Sequence, residues 1–137
     1  MTDMFDAMTI SAHGMRAQGE RTRVIAENMA NASTGALSPD SDPYARKVIT
    51  FKNTLDREYG HKTVKVEDIT DDRRSEFPLK YMPDHPGANE AGYVKMPNVS
   101  TLIEMNDMRE AQRSYEANLG MIENSRTMMF RTIDLLR

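Results

Sequence analysis

The chain has no cysteine. That excludes thiolate metal sites, thiol nucleophiles and disulfides, and it fits either a reducing compartment or an exported structural part that avoids mispairing. No apolar run approaches bilayer-spanning length, and residues 1 to 30 lack a basic stretch followed by an apolar core and a cleavage site. Neither membrane insertion nor a cleaved secretory signal is expected. The net charge is −3 with both signs mixed along the chain, so there is no basic excess for nucleic acid to read. A glycine-rich phosphate loop and a nucleophile elbow are both missing.

The three histidines, His13, His61 and His85, lie in separate segments without ligand-like spacing. His85, between Asp84 and Pro86, reads as a hydrogen-bonded loop histidine in preference to a metal corner. The acidic pairs Glu67–Asp68 and Asp71–Asp72 adjoin Arg73 and Arg74, the pattern of a solvated turn. A paired-carboxylate acid/base site would need a cleft that 137 residues hardly have room to build. No enzymatic activity, cofactor or metal is expected.

What the chain has is two amphipathic ends. Near the N-terminus Met1, Phe5, Met8, Ala12, Met15, Gly19, Thr22, Ala26 and Met29 fall on alternating steps of four and three, one stripe of a helix. Near the C-terminus Met105, Met108, Gln112, Tyr115, Leu119, Ile122, Arg126, Met129, Ile133 and Leu136 repeat that spacing, with Gln112 and Arg126 interrupting it. Helices over residues 3–30 and 100–137 would be about 40 Å and about 55 Å long at about 1.5 Å per residue. Such a stripe ordinarily packs into the core of its own domain. The crowding of Met128, Met129, Phe130, Ile133, Leu135 and Leu136 exceeds what an intramolecular seam would cover and points to burial against neighbouring copies or partners. Twelve methionines suit that role, because flexible thioether side chains adapt to non-identical surfaces.

Between the ends the organisation changes. All six prolines lie in residues 31–99, and the sequence divides into a helix over 1–34, an extended or β-rich middle over 35–99 and a helix over 100–137. Tyr44 to Asn53 and Thr63 to Ile69 alternate well enough for strands, and Phe77, Leu79 and Tyr81 alternate too, with Pro78 confining that run to an edge. Thr101 and Glu104 have the spacing of a capping box that opens the last helix. The fold class is therefore mainly α with a small β-rich middle, the terminal helices pairing as a coiled-coil layer.

Several stretches carry a resemblance. Glu27-Asn28-Met29-Ala30-Asn31-Ala32-Ser33-Thr34 is similar to the Asn-x-Ala-Asn-x-x-Thr signature that closes the N-terminal helix of bacterial flagellar rod and hook proteins. Tyr81 to Pro86, Gly92 to Val99, Glu104-Met105 and Arg113-Ser114-Tyr115-Glu116-Ala117-Asn118 resemble the shorter, proximal rod members of that family. The resemblance spans about two thirds of the chain, and residues 38 to 80 contribute little to it.

The resemblance implies an axial structural protein, exported uncleaved by the flagellar type III apparatus and built into the rod that crosses the periplasm and transmits torque. Its implied partners are copies of itself, other rod proteins and the basal-body ring and rod junction proteins. In that family the terminal helices form an inner coiled-coil layer and the middle an outer, subunit-bridging one. The residues expected to serve assembly are Asn28, Ala30, Asn31, Thr34, Tyr93, Pro97, Asn98, Tyr115 and Asn118, together with the apolar stripes. Asn28 and Asn31 can bond backbone groups where the helix ends, and Ala30 permits close approach of a partner helix. Another rod or hook subunit, a cytoplasmic coiled-coil adaptor and a secreted effector are the alternatives.

Overall fold

A computed structural model describes residues 2–55 and 60–135. The element order is α1 (Thr2–Asn31), β1 (Lys47–Leu55), β2 (Lys62–Asp71), β3 (Leu79–Tyr81), β4 (Tyr93–Lys95) and α2 (Thr101–Leu135). β1 pairs with β2 in one two-stranded sheet and β3 with β4 in another. The mainly helical plan with a β-rich middle is thus observed. No helix among the described residues is long and apolar enough to cross a membrane.

Spatially the chain forms two compact units, one of Met1–Thr22, Thr50–Asp68 and Arg109–Arg137, the other of Arg23–Ile49 and Ile69–Met108. In the first unit the helices run antiparallel. A Cβ built on Gly14 would lie 2.9 Å from Nδ2 of Asn118, and Arg21, seven residues on, reaches Glu110, eight residues back along α2, at 3.7 Å. The side chains buried there are small or polar: Ser11, Ala17, Thr63, Ala111 and Ser125. The second unit buries Val24, Ile25, Ala36 and Val94 with Asn28 and Glu104.

The second unit also shows why the short sheet forms. β3 and β4 are antiparallel in the register Leu79↔Lys95, Lys80↔Val94 and Tyr81↔Tyr93. The carbonyl of Pro78 accepts the Met96 amide at 2.8 Å, so the proline contributes an acceptor at the edge of the ladder where it has no donor to give. The connection closes on Asn89, whose Oδ1 accepts the amides of Ala91 and Tyr93, and on Gly92 at φ +81°, a conformation that favours glycine. Sequence periodicity does not reveal β4, which has only three residues for alternation to act on.

A loop after α1 then packs on this sheet. The Ala36 amide donates to the Lys95 carbonyl at 3.0 Å, and the Ala36 carbonyl lies where a Cβ on Gly87 would stand, 1.9 Å away. Gly87 is therefore required by a close approach of two backbones. By contrast, a Cβ on Gly120 in α2 would meet nothing within 4 Å. Gly87→Ala is expected to destabilise the chain by about 1–3 kcal/mol through overpacking, and Gly120→Ala to stabilise it by up to about 1 kcal/mol through helix propensity. Denaturant unfolding of the two variants beside the parent checks both signs.

Candidate assembly surface

Two of the family-motif residues, Asn28 and Asn98, sit in a polar knot inside the second unit. Asn28, 1 % exposed on the last turns of α1, uses all the hydrogen-bonding capacity of its amide. Its Nδ2 donates to the Lys47 carbonyl at 2.9 Å and to Oε2 of Glu104 at 3.2 Å. Its Oδ1 accepts the Lys47 amide at 2.8 Å and the Tyr44 hydroxyl at 2.9 Å. Toward Lys47 the side chain thus behaves as an extra strand residue, capping the start of β1 with a donor and an acceptor.

Asn98 does the same one residue earlier. Its Oδ1 accepts the Arg46 amide at 2.7 Å and its Nδ2 donates to the Asp72 carbonyl at 2.8 Å, while the Asp72 amide donates to the Arg46 carbonyl at 2.7 Å. The two asparagines therefore clasp the segment that leads into β1.

Glu104, wholly buried, carries the charge of this knot. Its Oε1 accepts Nε of Arg46 at 2.6 Å, and the same guanidinium lies 3.6 Å from Asp107. Lys47 pairs with Glu27 beside it. The expected capping box is corrected here: α2 opens with the Glu104 amide donating to the Ser100 carbonyl at 3.0 Å, and the Glu104 carboxylate is committed to Asn28 and Arg46 instead of folding back on its own helix. A buried carboxylate is tolerated only when it is paired and hydrogen-bonded, which outweighs a cap that water could satisfy.

Burial pushes the Tyr44 phenol up to about 12, with the charges of Glu27, Asp71 and Glu104 adding to the shift. A raised phenol favours the fold fully below pH 10.0 and loses that contribution as pH climbs through about 12. The Ser75 hydroxyl, then the Arg74 and Ser75 amides, hold the exposed Asp72 carboxyl below its ordinary value, so it tightens the acidic turn above that value and releases it in acid. His85 sits in its loop with Nδ1 accepting the Gly87 amide at 3.0 Å, and no group of three or more potential metal ligands occurs among the described residues.

The rest of the signature is dispersed. Asn31 binds the Glu27 carbonyl at 2.9 Å and closes the helix. Pro97 is buried, and Ala30 and Thr34 are exposed. Tyr93 is exposed and edge-on to Tyr81 with ring centroids 5.3 Å apart. Asn118 donates to the Ser114 carbonyl at 2.8 Å while filling the space over Gly14.

The apolar stripes sit one residue away from the helix contact. In the first unit the inward positions include Ser11, Gly14, Ala111, Asn118 and Ser125. Their immediate successors Ala12, Gln112, Leu119 and Arg126 are exposed, and Met15 is half-buried. In the second unit Ile25, Asn28 and Glu104 point inward, whereas Ala26 and Met105 are exposed and Met29 is half-buried. Across both helices Met8, Met15, Met29, Met108, Ile122 and Met129 lie half-buried on the flank, and Phe5, Ala12, Met105, Tyr115, Leu119 and Ile133 are exposed. Leu136 lies outside the described residues.

The apolar stripes therefore border the intramolecular contact, with part of each half-buried and part exposed. Small and hydrogen-bonding side chains let the two helices approach closely at the seam, and the larger apolar ones are displaced to its side. This also accounts for Gln112 and Arg126, which interrupt the apolar stripe at levels where the inward positions are Ala111 and Ser125. In the first unit the two stripes border a common groove of about 420 Å³, lined by Gly19 and Thr22 from α1 and by Gln112, Tyr115 and Glu116 from α2.

The knot and the flank separate cleanly by mutation. Asn28→Asp places a second carboxylate against Glu104 and removes the donor to Lys47, and is expected to cost roughly 3 kcal/mol or more. Asn28→Ala, which strands the partners without adding charge, is expected to cost about 1–3 kcal/mol. Chemical unfolding of both variants tests the order; equal, small losses would contradict the role given to Asn28.

Residues 90–135, which include β4 and the whole of α2, match the family model described as flagellar basal body rod FlgEFG protein C-terminal. Over the whole length, the chain is 45 % identical to the flagellar basal-body rod protein FlgC of Agrobacterium fabrum, covering 100 % of this chain and 98 % of the relative. It is 38 % identical to FlgC of Aquifex aeolicus, with 98 % of each chain covered. To FlgC of Salmonella typhimurium it is 36 % identical over 98 % of this chain and 97 % of the relative. Similarity of that extent takes in the middle segment as well as the helices, and it favours FlgC over a longer rod or hook subunit or a non-flagellar adaptor. The chain belongs to the FlgC family of flagellar basal-body rod proteins.

Proposed function

We propose that the chain is a non-enzymatic subunit of the proximal rod, built helically with copies of itself and other rod proteins into the shaft that transmits torque. The observation that carries this reading is the displaced stripe. Tyr115, Leu119, Met105 and Ile133 are 39 %, 40 %, 43 % and 49 % exposed, although each lies on a regular apolar repeat. A fully buried side chain of this size contributes about 1.5–3 kcal/mol. Several of them left wet on one side of a helix pair supply a driving force for association that the folded chain itself leaves unused.

Neighbours that repeat one heterologous contact generate an open helix, the geometry that a shaft needs. The polar knot supports the same reading from the other side. It fixes the start of β1 to both helices through directional bonds, so the middle segment has a defined position when the flanks associate. Contacts with ring and junction proteins, passage through the type III apparatus without cleavage and a place in the periplasmic space belong to this proposal through the family relationship. The absence of cysteine agrees with passage into an oxidising compartment.

Leu119→Asp places a charge on the exposed flank and is expected to change the stability of the isolated chain by no more than about 0.5 kcal/mol. It should nevertheless remove the chain from isolated basal bodies and abolish swimming, because that charge would be buried without a partner in the assembly. Ile122→Asp, half-buried in the isolated chain, should do the same with a measurable loss of stability. Wild-type rods containing Leu119→Asp would contradict the proposal.

A further inference from the structure

Resting on that reading, we infer that the groove between the stripes receives the last turns of α2 from a second copy of this chain. Three features of the first unit converge on this. The first is the shape of the groove: α1 contributes Gly19 to its lining, and a Cβ there would meet nothing within 4 Å. A helix-interior glycine is unfavourable by about 1 kcal/mol relative to alanine, and no contact among the described residues requires this one. The space it leaves is open toward a knob from outside.

The second feature is the knob. Every described residue of α2 from Arg131 to Leu135 is exposed, and Phe130 and Ile133, 55 % and 49 % exposed, stand one turn apart on the same face. The antiparallel register explains why they are only half covered. With Gly14 opposite Asn118, the described start of α1 at Thr2 comes level with about position 130 of α2, given the equal rise of about 1.5 Å per residue in both helices. Beyond that level α2 has no opposing turn of α1 among the described residues.

The third feature is charge. Glu116 stands on the rim of the groove, whereas the knob is flanked by Arg131 and by Arg126, whose guanidinium carbon lies 5.5 Å from the Phe130 ring centre. An aromatic and aliphatic ridge flanked by arginine therefore meets a groove whose lining offers Tyr115 for the apolar contact and the Glu116 carboxylate for the arginines. The contact joins two different surfaces of the same chain, so it propagates from copy to copy without closing on itself as a two-fold dimer would.

Two single variants, Gly19→Cys and Ile133→Cys, co-expressed on separate copies in cells lacking the native gene, test this. A side chain at position 19 meets nothing within 4 Å, position 133 is about half exposed, and the parent has no cysteine to compete. Oxidation of isolated basal bodies should give a disulfide adduct between the two variant copies, mapped by mass spectrometry to positions 19 and 133. Glu116→Arg should abolish the adduct, and combining it with Arg131→Glu should restore it. Basal bodies that contain both variants yet give no adduct, or give adducts of either cysteine only with another protein after a cysteine is introduced there, overturn the inference and leave the rod assignment standing. Basal bodies that lack the chain altogether, with the wild-type chain as control, overturn both.

Discussion

The constraint on which the structure depends is that the helix seam is made of small and polar side chains. Ser11, Gly14, Ala111, Asn118 and Ser125 let the backbones come close in the first unit, and Asn28 with Glu104 holds them by hydrogen bonds in the second. Close approach through small residues gives little apolar burial per turn, so the pair is weakly stabilised by its own packing. The large apolar residues, one position further along each helix, are left for other surfaces. A chain built this way leaves much of its large apolar surface exposed, which is the basis of the assembly role proposed for it.

Directional bonds compensate where packing is thin. Arg46 is held at its amide by Asn98, at its carbonyl by Asp72 and at its guanidinium by Glu104 and Asp107. These partners come from three parts of the second unit: α2, the segment before it, and the residue that follows β2. Such a node specifies one arrangement, because any shift in register leaves a buried carboxylate or amide unpaired at a cost far above that of a slipped methyl group. Asn28 and Asn98 thus act on the conformation of the chain itself.

Much of this was legible in the sequence, and the failures have a common cause. The two helices were readable because the four-three repeat persists over many turns, and β1 and β2 because Ile49, Phe51, Val64 and Val66 alternate with polar residues. The direction of the helices' contact was not readable. A hydrophobic repeat identifies the most apolar stripe, and nothing in the spacing tells whether that stripe closes the chain on itself or meets another chain. Gln112 and Arg126 were the signal: they break the apolar stripe at the levels where the preceding residues, Ala111 and Ser125, are buried. Glu104 was misread for a related reason, since a carboxylate three residues after a threonine fits a local cap, whereas its partners Asn28 and Arg46 lie 76 and 58 positions away.

The central claim, that the flanking stripe is open in the isolated chain and covered in the rod, is tested most directly by methionine footprinting. On that stripe Met105 is 43 % exposed, and thioether oxidation follows exposure. Peroxide treatment of the isolated chain should convert Met105 quickly, and treatment of intact basal bodies should leave it largely reduced. Equal oxidation of Met105 in both states would contradict the account.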